Sequence, residues 1–202
     1  LGRLGASFSA PRARGAEPPA GRAPDTLVAL GLHGPAALGL APWLWAELDP
    51  GALRRFSSFP AGAAARSAPT APATGRPAVA GHLELRVRVD RADLRAMAEA
   101  VMVVLLDLGV QVTVRTLEPS EQLAALVGRR AGVDLVEWLE PAPASGGPPA
   151  GLVALVGGEA GVVPLLHVRR SLWLTTGVTD VTFSHWAVPC YDNARRARRP
   201  RR

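Results

Sequence analysis

Trp138 and Glu140 are the pair best suited to ligand chemistry. Trp138 lies near the end of the apolar run V-D-L-V-E-W-L (residues 133–139), and Glu140 follows, ahead of a Pro/Gly-rich stretch. An aromatic face beside a carboxylate can stack on and ion-pair with a cationic or amino-bearing ligand. Ligands of α/β sheets bind beyond the carboxyl ends of the parallel strands, where this pair would sit. A Trp packed beneath a loop is the plainer reading, and the sequence leaves both open.

Other chemistries find little support. The four histidines are His33, His82, His167 and His185. No two have the i, i+4 spacing of a helical metal site, and no carboxylate completes one. The chain contains no lysine, which removes a Walker A loop and a Schiff-base nucleophile. G-G-E-A-G at 157–161 lacks the Lys and Ser/Thr of a phosphate loop, and no G-x-S-x-G elbow is present. Cys190 stands alone, with no partner motif. No catalytic residue, metal or cofactor is assigned, and an enzyme is the least supported class.

The composition bounds the rest. The chain has 202 residues, 48% of them hydrophobic, enough for one ordinary domain or one lobe of something larger. No apolar run reaches the ~18 residues of a membrane helix. Isoleucine is absent and Asn193 is the only asparagine, the mark of a GC-rich coding sequence. All 23 basic residues are therefore arginines, against 17 acids. Six of them follow Asn193, so residues 1–193 balance at 17 against 17, and the tail alone gives the net +6. A basic end can bind nucleic acid, but no aromatic interleaves these arginines as in single-strand binders. A solvated terminus is favoured. The chain begins at Leu1 without a visible signal peptide, so it reads as mature, clipped or a fragment.

The elements that would position Trp138 follow from periodicity. Residues 26–32 (T-L-V-A-L-G-L) suit a buried strand. Residues 41–56 read as two helical pieces broken near Asp49–Gly51, with Asp49 as N-cap and Pro50 in the first turn. Residues 57–81 are Ala, Pro, Ser and Gly, a linker or long surface loop. Residues 82–89 alternate, with Leu83, Leu85, Val87 and Val89 inward and Glu84, Arg86 and Arg88 outward, a strand with one buried face. Asp90 is the expected cap of a helix with Asp93 in its first turn. Its buried face is Leu94, Met97, Ala98, Val101, Leu105 and Leu108, and Gly109 stops it. Residues 110–117 form the next strand, parallel to the first.

A second helix opens at Ser120 and Glu121 and carries Leu123, Leu126 and Val127, with Gly128 near its end. Residues 133–139 are a third strand, and 141–151 a Pro/Gly loop. Residues 152–156 are a short helix or strand, and 161–168, 172–175 and 178–183 are extended. The sum is a mixed α/β domain.

D-L-R-A-M-A-E-A-V-M-V-V-L-L-D-L-G-V-Q-V-T-V-R-T-L-E (93–118) resembles the second lobe of the family 5 extracellular solute-binding proteins, the peptide- and nickel-type receptors of ABC importers. The strand ending near Trp138, the segment 161–181 and V-P-C-Y-D-N-A (188–194) are similar to later parts of that lobe. D-T-L-V-A-L-G-L and W-A-E-L-D-P-G-A-L resemble its opening. The likeness runs in order over about residues 25–194, though no single motif in it is specific. Family members are considerably longer, and the acidic, Pro-containing segment after the Trp is here E-P-A-P-A-S-G-G, with only Glu140 to stand in.

The resemblance implies an α/β fold: a periplasmic-binding-protein-like lobe with a mixed sheet and flanking helices, part of an incomplete two-lobed fold. Residues 1–24 are expected to be irregular or disordered, 25–193 the lobe, and 194–202 a basic disordered tail. The implied function is capture of peptide-like or other small solutes outside the cytoplasm, with ABC transporter permease subunits as partners. Trp138 and Glu140 are the expected ligand contacts. The alternatives are a small α/β protein whose arginine tail binds nucleic acid, or a non-functional truncated gene product.

Overall fold

In a computed structural model the described residues are 25–64, 77, 81–139 and 148–169, with two-residue strands at 178–179, 182–183, 189–190 and 195–196. In chain order the principal elements begin with β1 (Asp25–His33), α1 (Pro35–Leu38), α2 (Ala41–Glu47), α3 (Pro50–Leu53) and β2 (Ala61–Ala63). Next come β3 (His82–Arg88), α4 (Ala92–Asp107), β4 (Gln111–Leu117), α5 (Pro119–Val127), β5 (Gly132–Trp138), α6 (Ala150–Val156) and β6 (Val162–Arg169).

Six strands make one mixed sheet in the order β2-β6-β1-β5-β3-β4. β3 pairs parallel with both β4 and β5. β1 runs antiparallel between β5 and β6, and β2 pairs antiparallel with β6. The mixed sheet with flanking helices is the fold class that the sequence implies.

Helices cover both faces. One core packs Leu30, Leu32, Leu85 and Leu135 of the sheet against Leu44 and against Leu94, Met97, Val101 and Leu105 of α4. Full burial of each such side chain stabilises by about 1.5–3 kcal/mol. A second, smaller core places Leu27, Ala29, Val136 and Trp138 with Leu126 of α5 and with Leu152 and Val156 of α6. The first core contains the expected buried face of α4. That helix ends on Gly109 at φ 83. The Gly109 amide donates to the Leu106 carbonyl at 2.8 Å and the Val110 amide to Leu105 at 2.9 Å, a Schellman closure. Asp49 caps α3 as expected, accepting from the Gly51 amide at 2.8 Å.

Several expectations are corrected. β3 is buried on both faces: Arg86 is 0% exposed and Arg88 2%. The strand lies inside the sheet with α4 above and α5 below; buried Asp134 pairs with Arg86, and Asp90, in the turn after the strand, pairs with Arg88. Val89, expected inside, lies past the strand and is exposed. Asp90 does not cap α4, because Arg88 holds its carboxylate at 2.9 and 2.5 Å. α5 opens on a capping box between Glu118 and Glu121, with Pro119 as its first residue, rather than at Ser120. It buries Gln122, Ala125 and Leu126 and exposes Leu123 and Val127. Within the expected loop 57–81, residues Ala61–Ala63 form edge strand β2. Residues 152–156 are helical, inside α6. The expected strand 172–175 and most of the loop 141–151 lie outside the described residues. In the arginine-rich end, Arg195–Arg196 pair with Val178–Thr179.

Candidate ligand-binding site

Because β3, β4 and β5 are parallel, their carboxyl ends share one edge of the sheet, and antiparallel β1 brings its beginning to the same place. Trp138 faces Leu27 across the β1–β5 pairing, and Glu137 faces Val28. Trp138 is 5% exposed and packs in the second core. Glu140 lies outside the described residues. Of the expected pair, Trp138 is thus placed at the end of β5, with its ring buried in the second core beneath α5 and α6.

The other face of the same edge carries a buried polar cluster that sequence reasoning missed. Glu137 is 1% exposed. Its Oε1 accepts from the Thr26 hydroxyl at 2.6 Å, and its Oε2 pairs with the Arg91 guanidinium. Arg91 also forks onto Asp93, with Nε and one terminal nitrogen each 2.9 Å from a carboxylate oxygen. Asp93 in turn accepts from the Leu94 amide at 3.0 Å, in the first turn of α4. Burial works against the charge on Arg91, but Asp93 and Glu137 outweigh it and hold its pKa above the ordinary value. The hydrogen bond from Arg88 holds Asp90 below the usual carboxylate range. The cluster ties the start of α4 to the ends of β1 and β5, so the rim beside Trp138 is rigidly braced. The signal was a Glu inside an apolar run, V-E-W, with R-A-D at the opening of α4 earlier in the chain.

A second buried cluster lies towards the opposite end. Arg86 grips Asp134 with two bonds, Nε at 3.0 Å and a terminal nitrogen at 2.7 Å. The same guanidinium donates to the carbonyls of Arg130 at 2.7 Å and Ala131 at 3.3 Å. Gln122 reaches in from α5, donating to the carbonyls of Arg86 at 3.3 Å and Leu135 at 3.1 Å. Gly132, at φ 136, has no room for a Cβ, which would lie 2.9 Å from the Glu84 carbonyl oxygen. His33 Nε2 stands 3.6 Å from Asp134, too far for a hydrogen bond. Burial, then the charges of Arg86 and Arg129, push His33 down to about 4, so it is neutral at pH 7. Burial pushes Asp134 up to about 6 against the pull of Arg86, and at pH 7 the pair is ionised.

At the rim the guanidiniums are held by carboxylates, and the Thr26 hydroxyl beside Glu137 is fully buried. Among the described residues no group of His, Cys, Asp and Glu is arranged to hold a metal ion. No helix among them is long and apolar enough to cross a membrane.

No protein-family model matches the sequence, and no curated protein matches it. Solved structures do share the fold. A dipeptide-binding protein from Pseudoalteromonas sp. SM9913, in complex with Met-Leu, aligns at TM-score 0.52 and 15% identity over 87% of this chain and 49% of that one. The substrate-binding domain of an oligopeptide ABC transporter from Bacillus anthracis aligns at 0.50 and 12%, over 87% and 50%. NikA from Brucella suis, in complex with Fe(III)-EDTA, aligns at 0.50 and 15%, over 81% and 49%. The chain spans about half the length of the structures it matches, and its fold is that of a periplasmic-binding-protein-like lobe.

Proposed function

We propose that this chain is the C-terminal lobe of an extracytoplasmic solute-binding protein that captures peptide-like solutes for an ABC importer. The observation that carries the reading is the shared fold with proteins whose bound ligands include a dipeptide. The braced polar rim at the strand ends supports it, because ligands of α/β sheets collect there. Trp138 would form the apolar wall and Glu140 would meet the amino group of the solute. Permease subunits would be the partners that receive the loaded protein. Binding proteins of this kind close two lobes around the ligand, so one lobe alone supplies half the contacts. Affinity of the 202-residue chain for short peptides is therefore expected in the millimolar range, about −4 kcal/mol.

Thermal-shift titration of the chain with a panel of short peptides tests this. The expected result is a concentration-dependent rise in melting temperature that Glu140→Gln weakens. The contrary result is no shift with any peptide, together with an oligonucleotide shift that is lost on deleting residues 194–202. That outcome would move the arginine tail to the front.

A further inference from the structure

Counting by twos along β3 and β5 from the Arg86–Asp134 pair puts Arg88 and Trp138 on one face of the sheet, at the carboxyl ends of neighbouring strands. Arg88 is thus a guanidinium set into the rim. Its side chain is 3% exposed, yet the Asp90 side chain that grips it is 45% exposed. The counter-charges of the other two inner arginines are themselves covered: Asp134 and Glu137 are fully buried and Asp93 nearly so. The carboxylate on Arg88 faces water. The grip is a fork, with Nε and a terminal nitrogen meeting the two carboxylate oxygens at 2.9 and 2.5 Å. A solute's carboxylate would present the same two oxygens to the same two nitrogens. Asp90 lies in the turn between the end of β3 at Arg88 and the start of α4 at Ala92, so a side-chain rotation moves it aside and leaves both elements intact.

We infer that Asp90 is a tethered stand-in for the carboxylate of a solute, and that Arg88 reads that carboxylate once Asp90 has been displaced. The inference rests on the reading of this rim as the capture site for peptide-like solutes, and it assigns the solute's carboxylate end to Arg88. A guanidinium stays charged at any working pH, and one set this deep needs a counter-charge. The exchange swaps one carboxylate for another, so the buried charge is never left unpaired. Asp90 itself moves further into water, which it already faces. The hydrogen bond from Arg88 holds the Asp90 carboxyl below the usual range, so the stand-in stays ionised and competes well into acid. A group tethered two residues away also competes at a high local concentration. A simple acid therefore loses to it, and a solute wins only by adding further contacts along the rim. The contact sets a threshold that a lone carboxylate does not pass.

Thermal-shift titration of the full chain with sodium acetate, against sodium chloride at equal ionic strength, tests the inference. The parent should respond to acetate no more than to chloride. Asp90→Ala should melt lower and recover with acetate beyond the chloride control. Asp90→Asn, which keeps the side chain's shape, should do the same with smaller amplitude. Adding Arg88→Met should remove the recovery, with the folded circular dichroism spectrum retained. Asp90→Ala should also bind short peptides with a free C-terminus about tenfold more tightly, equivalent to ~1.4 kcal/mol, and leave their C-terminal amides unchanged. Asp90 variants that acetate protects no better than chloride would overturn the inference, as would equal tightening of free and amidated peptides. If acetate protects Asp90→Ala and no peptide binds any variant, carboxylate exchange at Arg88 stands and peptide capture falls. If peptides bind the parent and acetate protects neither variant, peptide capture stands and the exchange falls.

Discussion

Arg86 and Asp134 face each other across β3 and β5 with both side chains fully buried. Asp134→Asn leaves the guanidinium without its counter-charge and should cost about 3–5 kcal/mol, read by urea denaturation. Replacing both partners, Arg86→Met with Asp134→Leu, should recover most of that loss, because two desolvated charges are removed together. His33 adds a pH signature. Its folded pKa of about 4 lies below the ordinary 6.5, so below pH 6.5 the unfolded chain takes up a proton that the native protein refuses. Stability falls with acid on that account, down to about pH 4. Asp134 works the other way, since its folded pKa of about 6 lies above the ordinary 3.8 and the native state gains a proton first. Between pH 4 and 6 the two effects oppose each other. His33→Gln removes the first, so that variant should gain stability relative to the parent as pH falls from 7 to 4.5, on the order of 2 kcal/mol. A pH-stability curve by chemical denaturation at each pH would show it. Strict alternation in L-E-L-R-V-R reads as one solvated face, and it hid Arg86. Its counter-charge comes from a residue 48 positions away, which a local pattern does not contain.

At the scale of elements, α4 was the most legible part of the chain. Its apolar spacing, Asp93 and Gly109 agree with one another, and the helix forms over Ala92–Asp107. Gly109→Ala forces an L-residue into the left-handed region and should cost roughly 1–2 kcal/mol. Leu105→Ala opens a cavity in the larger core and should cost about 2–5 kcal/mol. Thermal unfolding monitored by circular dichroism checks both. α5 was legible as a helix but not in its orientation. Leu123 and Val127 are the apolar choices by type, yet Gln122 turns inward because the carbonyls of Arg86 and Leu135 need a donor. That demand is set by the neighbouring strands and is not visible in the helix itself. Strand β2, three residues of Ala and Gly, carries no pattern of its own and exists through its pairing with β6.

Over the whole molecule, the β3–α4–β4 unit could be read from sequence because a helical crossover of this length implies parallel strands. The central position of β1 could not. Its partners β5 and β6 lie about a hundred residues or more away, and that pairing is antiparallel. Long-range pairing of this kind is decided by global packing rather than by local residues. The site divides in the same way: Trp138 was found as an aromatic at a strand end, while Thr26, Arg91 and Glu137 converge only once β1, α4 and β5 are assembled. The central claim is that solute is captured at this rim. Hydrogen–deuterium exchange of the chain, with and without a saturating short peptide, tests it most directly. The account predicts added protection over residues 137–140 and 88–94, at the ends of β5 and β3 and the start of α4. Protection elsewhere in the sheet, or at no position under a peptide concentration that shifts the melting temperature, would contradict it.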